Sequence, residues 1–374
     1  MKLVFWTGMF IVLYTYAGYP LWLWLRSQWR RAPILRSSCM PSVSLVMVVR
    51  NEEQVLPRKL RNLLSLDYPP DKFEIVVVSD GSKDGTERIL AEFAKEARVR
   101  WASNPQSRGK ASGLNEAIAL ARGEIVVFTD ARQQIDGNAL QLLMENFADP
   151  HVGCVSGELM LGDPDSGETG KGMGMYWRVE KRIREMESDS GSVIGATGAF
   201  YAARRELLST VPDQLILDDV YIPLSILRQR RRVLFDSRAR AWDVPDLGAT
   251  REFARKVRTL SGNYQLVQAA PWLLTRENPA RFQFISHKLM RLVSPFALTA
   301  VFVSSLLLLS NPVYRFALVL QIFLYGLSLM AVTSLALGPL ARVADAALTF
   351  VLLNCAALVA FANFVSGRKV AWTR

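Results

Sequence analysis

The chain has 374 residues, half of them hydrophobic, which is enough apolar sequence to fill one large core and leave a surplus. Its formal net charge of +11 suits an anionic membrane surface and phosphate-bearing ligands. The basic residues are scattered, without an aromatic-interleaved stripe, so nucleic acid is disfavoured as a partner. Cys39, Cys154 and Cys355 make neither a pairing framework nor a metal spacing, which fits a reducing compartment, and His151 and His287 are too isolated for a histidine-built metal site.

In chain order, residues 3–25 carry no charge, are rich in Trp and Tyr, and lack a small-residue cleavage site, so residues 1–27 read as an uncleaved membrane anchor. Arg26, Arg30, Arg31 and Arg36 follow it and only Lys2 precedes it, which places the next region in the cytoplasm. That region, 41–265, alternates strand-like and helix-like patterns: strands over 42–49, 74–79, 99–103 and 123–130, helices over 60–66, 86–97 and 109–121. Such alternation predicts a largely parallel sheet covered by helices on both faces. After about residue 150 the pattern loosens. Residues 175–187 have an amphipathic stripe with Glu180 and Arg184 at i,i+4 spacing, and 277–291 mix Arg281, Lys288 and Arg291 with aromatic and aliphatic residues, as an interfacial helix does. Uncharged runs at 292–314, 316–341 and 346–367 predict further membrane helices, about three in the segment 292–367. Three crossings put Arg368, Lys369 and Arg374 outside, against the charge rule that orients the first span.

Most short motifs fail on inspection. Asp80, Ser82 and Asp84 resemble half a calcium loop, but its twelfth position is Ala91. RGKAS lacks the residues of a Walker phosphate loop, the glycine-rich GKGMGMYW follows no strand, and no G-x-S-x-G elbow occurs. What remains is two strands that both end in aspartate, Asp80 and Asp130, at the sheet edge where parallel α/β folds bind ligands. Taken alone, Asp80 reads better as a turn-ordering residue. Asp84 and Glu87 have capping-box spacing.

In order, VVRNEE, DYPPDKFEIVVVSDGSKDGT, RGKASGLNEAIALARGEIVVFTDAR, VGCVSGEL, GATGAFYAARREL, LDDVYIPL and REFARKVRTLSGN closely resemble the membrane-bound family-2 glycosyltransferases of the cellulose synthase-like superfamily. The resemblance covers nearly all of 41–265 and implies a cytosolic GT-A fold, a Rossmann-type mostly parallel sheet flanked by helices. It implies that Asn51, Glu52 and Asp80 hold the base and ribose of a uridine nucleotide, and that Lys110 at a helix start lies near the diphosphate, where helix N-termini favour anions. Read without the resemblance, Lys110 is an ordinary first-turn lysine.

Asp130 matches the first acid of the family's D-x-D element, which implies a divalent cation, Mg²⁺ or Mn²⁺. The third position is Arg132, which could itself neutralise a leaving diphosphate. Asp219 matches the family's general base; Asp218, Gly198 within the loop 195–200, and Arg255 fall on the acceptor side, and the two acids also suit helix capping. Arg258 keeps the basic residue of the family's Q-x-x-R-W element, whereas Arg255 and Thr259 replace its Gln and its acceptor-stacking Trp. The resemblance therefore implies an inverting transfer from a UDP-sugar to a polysaccharide, glycolipid or lipid-linked acceptor by a multi-pass cell-membrane enzyme. A processive synthase that exports through its spans, or a non-catalytic assembly subunit, are the rivals.

Overall fold

The structure is a computed structural model that describes residues 1–162, 175–213, 215–244, 249–333 and 340–368; most of the glycine-rich stretch and the tail from 369 lie outside the described residues. Among the described residues eight strands form one sheet: β1 (Val43–Val49), β2 (Phe73–Asp80), β3 (Val99–Asn104), β4 (Ile125–Thr129), β5 (Gln134–Ile135), β6 (Val152–Leu161), β7 (Phe200–Arg204) and β8 (Arg232–Asp243). Their spatial order is β3-β2-β1-β4-β7-β6-β8-β5. The first four are mutually parallel, β7 runs antiparallel to both β4 and β6, and β8 returns parallel to β6.

All seven residues of β1 are buried, which explains its continuous apolar run. Leu45 and Met47 face one core with Leu56, Leu60 and Leu63 of the helix Leu56–Leu64, while Val46 and Val48 face a second with Leu114 and Ala117 of the helix Lys110–Leu120. Pro57 sits in the first turn of its helix, where its missing N–H costs nothing. The four predicted strands and their helices are present with small boundary shifts. Strands β5 to β8 escape the periodicity because β6 contains Gly153 and Gly157 and its pairing with β8 is interrupted by register shifts.

Two expected local pairs do not form. Glu87 closes no capping box; its carboxylate accepts from the strand-end hydroxyls Ser79 Oγ (3.2 Å) and Ser103 Oγ (2.5 Å). Glu180, on the helix Met175–Asp189, turns from Arg184 to Arg291 (2.9 Å) and His287 Nε2 (3.0 Å).

Among the described residues four helices are long and apolar enough to cross a membrane: Lys2–Trp29, Arg281–Leu307, Pro312–Val332 and Ala341–Val365. The segment expected as a separate interfacial helix over 277–291 becomes helical at Arg281 and continues without a break to Leu307, so the boundary at 291 falls inside one helix. Its leading turns bury Phe284 and His287 and leave Phe282 exposed. His287 Nδ1 lies 2.9 Å from Glu187, which also accepts from Tyr19 of the first apolar helix (2.6 Å), so the helix Met175–Asp189 is tied to two membrane-type helices at once. Burial alone would raise the Glu180 carboxyl, but Arg291 and His287 outweigh it and hold it well below the usual carboxylate range.

Close backbone approach makes one glycine sensitive. A Cβ on Gly123 would lie 2.6 Å from the Ser44 nitrogen and 2.6 Å from the Val43 carbonyl carbon, neither of which can yield. Gly123→Ala should destabilise the protein by about 1–3 kcal/mol, read as a lowered unfolding temperature in detergent. Gly326→Ala, in the helix Pro312–Val332 with nothing within 4 Å, should be neutral or slightly stabilising.

Candidate functional site

The site lies where the parallel strands end, and its first element is a loop that Asp80 closes. Gly81 has φ +69°, and a Cβ there would come within 2.5 Å of the Ser107 nitrogen, so the chain before the helix Lys110–Leu120 can fold against the end of β2. Asp80 is fully buried. Its carboxylate accepts from Ser107 Oγ (2.7 Å), the Arg108 N–H (2.8 Å) and the Gly109 N–H (3.0 Å). In this arrangement Asp80 orders the loop that leads into Lys110. Asn51, held at φ 54°, accepts from the Lys83 N–H (2.8 Å), and the Glu52 N–H donates to Thr86 Oγ1 (2.9 Å). Asn51, Glu52 and Asp80 thus share one rim around residues 80–86, joined to each other by backbone geometry.

The second element is a charge cluster. Lys110 Nζ stands 3.1 Å from Asp130 Oδ1 at the end of β4 and 3.4 Å from Asp218 Oδ1 at the start of the helix Asp218–Arg228. Burial opposes its charge, yet Asp130, Asp218 and Asp219 together hold the lysine above its ordinary value. Asp218 is buried, which raises its carboxyl, with Lys110 opposing. Half-buried Asp219 is raised to about 6, by burial first and then by Asp218, while Lys110 and Lys288 pull the other way. Neither acid caps the helix through its side chain; the N-cap is Leu217.

The loop 195–200, expected on the acceptor side, closes against this cluster. The Ala196 N–H donates to the Asp219 carbonyl (2.7 Å), and a Cβ on Gly198 would lie 3.4 Å from Asp219 Oδ2, in ordinary contact. Arg132 is exposed beside Asp130. Arg255 and half-buried Arg258 lie one turn apart on the helix Ala249–Ala269, and Arg255 reaches Asp243 and Glu252 only at 4.0 Å. Among the described residues, no hydrogen bond or ion pair joins Arg258 to the acids.

Two buried polar groups next to the cluster were not among the expected site residues. The Tyr201 hydroxyl is buried without a hydrogen-bond partner among the described residues, and Lys59 is sealed beneath the turn that carries Asp130. The sequence held a signal for Lys59: it shares the apolar helix face of Leu56, Leu60 and Leu63, where a lysine is out of place.

Among the described residues no cluster of three or more His, Cys, Asp or Glu side chains could hold a metal ion. Asp130 is the carboxylate turned toward solvent at the strand end, 41% exposed, with an ammonium 3.1 Å away. A hard divalent cation fits such a donor set when waters and substrate phosphates complete its shell, as Mg²⁺ commonly requires.

Residues 44–211 match the family model described as glycosyl transferase family 2. The chain is 28% identical over 187 residues to a beta-monoglucosyldiacylglycerol synthase of Trichormus variabilis, covering 48% of this chain and 40% of that protein. It is 26% identical over 235 residues to a poly-beta-1,6-N-acetyl-D-glucosamine synthase of Staphylococcus epidermidis, covering 62% and 56% respectively. The matched region thus spans about half the length of these curated relatives. A mannosyltransferase from Pyrobaculum calidifontis, solved in complex with GDP-Man and Mn²⁺, superposes with a TM-score of 0.74 at 23% identity, covering 98% of this chain and all of that one, a likeness of fold.

Replacing Lys110 by Met leaves the buried Asp218 carboxylate without its cation. The expected cost is about 3 kcal/mol of stability, and Asp218→Asn added to it should recover most of that loss. Unfolding of the two single variants and the double variant checks the cycle; a Lys110→Met protein as stable as the parent contradicts it.

The part of the chain that forms most of this sheet, residues 44–211, is thus similar to glycosyl transferase family 2.

Proposed function

We propose that the protein is an inverting glycosyltransferase that moves a sugar from a nucleotide sugar to a glycan or glycolipid acceptor at the surface of a membrane. The observation that carries this reading is the convergence of Lys110, Asp130, Asp218 and Asp219 at one sheet edge, with Asp219 raised to about 6. A carboxylate tuned toward neutral pH is suited to accept a proton from a sugar hydroxyl.

In the proposed reaction the acceptor oxygen bonds to the anomeric carbon as the bond from that carbon to the diphosphate oxygen breaks. The acceptor proton passes to Asp219, and the nucleoside diphosphate leaves from the opposite face with the bonding pair. Lys110 and Arg132 lie on the side where the leaving charge develops and would stabilise it. Asp130 would hold a divalent cation, whose chemistry is to neutralise the diphosphate. The Gly195–Phe200 loop, lying over Asp219, would receive the acceptor.

The sequence resemblance favours a UDP-sugar as donor; the basic residues after the first apolar helix favour a cytoplasmic catalytic unit. Thr259, standing where the family places an acceptor-stacking Trp, favours one or a few additions over a long polymer. Membrane acceptors fit the relatives named above, one a glycolipid synthase and one a polysaccharide synthase.

Release of nucleoside diphosphate from a panel of UDP- and GDP-sugars, with and without Mn²⁺, tests this reading. Turnover is expected with one donor class, and Asp219→Asn should lose at least ~100-fold in rate. Because the base works ionised, the parent rate should rise with pH through about 6 and level off above it. Unchanged turnover in Asp219→Asn removes that residue from the mechanism, and a ladder of long products overturns the preference for few additions.

A further inference from the structure

Beneath the turn that carries Asp130 and Arg132 lies Lys59, 1% exposed and among the largest fully buried side chains. Its ammonium donates to Thr129 Oγ1 (2.8 Å) and to the Gln133 carbonyl (2.7 Å), the residues that bracket the Asp130-Ala131-Arg132 tripeptide. No carboxylate pairs with it among the described residues, and burial pushes its amine down to about 7, with Asp130 pulling against the shift. A methylene chain ending in a methyl would fill this space without burying a polar group, so an amine here is costly.

The surroundings form a clamp. Asn62 stands one turn further on the same helix, and its Nδ2 donates to the Ile135 carbonyl (2.8 Å) while its Oδ1 accepts from the Ile135 N–H (2.8 Å). Two side chains at i,i+3 thus hold residues 129–135 by four hydrogen bonds. Thr129 Oγ1 passes the connection on by donating to the Ala199 carbonyl (2.9 Å), which lies in the loop beside Asp219.

We propose that Lys59 is a positioning residue of the transfer site: by spanning Thr129 and Gln133 it sets how Asp130 and Arg132 leave the sheet, and its buried charge favours an anion at the donor diphosphate position. Lys59 reaches neither substrate nor the reacting atoms; it acts through the turn. The inference rests on the glycosyltransferase reading for its rate effects, but its binding effects stand apart from turnover.

The test measures dissociation constants of UDP and of GDP, each with Mn²⁺, together with kcat, KM and unfolding temperature, for the full-length protein in detergent. The variants are Lys59→Met, Lys59→Gln and Leu60→Ala. Leu60→Ala removes a buried leucine from the neighbouring position and serves as the control for stability alone. Lys59→Met should weaken binding of the nucleoside diphosphate favoured by the parent roughly tenfold or more and lower kcat, whereas Leu60→Ala should lower the unfolding temperature and leave binding by the folded protein at the parent value. Lys59→Gln, which keeps a donor and loses the charge, should fall between. If Lys59→Met does not fold, Lys59→Gln decides: parental affinity and kcat in that variant overturn the proposal. Equal losses of affinity in Leu60→Ala and the Lys59 variants also overturn it. A parent that binds nucleoside diphosphate but turns over no sugar donor defeats the proposed reaction, while the Lys59 comparison still holds on affinity.

Discussion

The site depends on one lysine bridging two carboxylates that belong to different parts of the chain. Asp130 ends the parallel half of the sheet, Asp218 opens a helix that follows the antiparallel half, and Lys110 lies between them. Without that cation, Asp218 would be a buried charge with a like charge nearby, an arrangement that proteins resolve by protonation or by opening. Lys110 reaches this position because Asp80 gathers the N–H groups of Arg108 and Gly109 and the Ser107 hydroxyl just ahead of its helix. The geometry therefore runs from one turn-forming aspartate, through a helix start, to the pair of acids.

The same segments connect the site to the apolar helices. Glu180 and Glu187, on one helix, meet Arg291, His287 and Tyr19 from two helices of membrane-spanning length. Tyr264, on the helix that carries Arg255 and Arg258, stacks on Phe364 with ring centroids 5.0 Å apart. Polar clamps and aromatic contacts thus join the α/β unit to the apolar helices.

Much of the fold was legible because strands buried on both faces write continuous β-branched runs, and β1, β2 and β4 do so plainly. Strands β6 to β8 were not, since glycines and register shifts break their pattern and their partners lie far along the chain. The acids of the site were legible through motif order, and the structure brings Lys110, Asp130, Asp218 and Asp219 together as that order implies. At Asp80 the sequence showed a strand-end aspartate but not its loop partners, because residues 107–109, which donate to its carboxylate, lie more than 25 positions away. The boundary drawn at 291 was not legible for a related reason, because Arg291 reads as part of an amphipathic face until Glu180 meets it from another helix.

The central claim is that these charges form one seat for an activated sugar nucleotide. It is tested most directly by determining the structure of the protein with Mn²⁺ and the nucleoside diphosphate that it binds. The account predicts the diphosphate at the end of β4, within reach of Lys110 and Asp130, with the open space beyond it bounded by Asp219 and Gly198. A nucleotide bound elsewhere on the chain, with Lys110 still locked between Asp130 and Asp218, would contradict it.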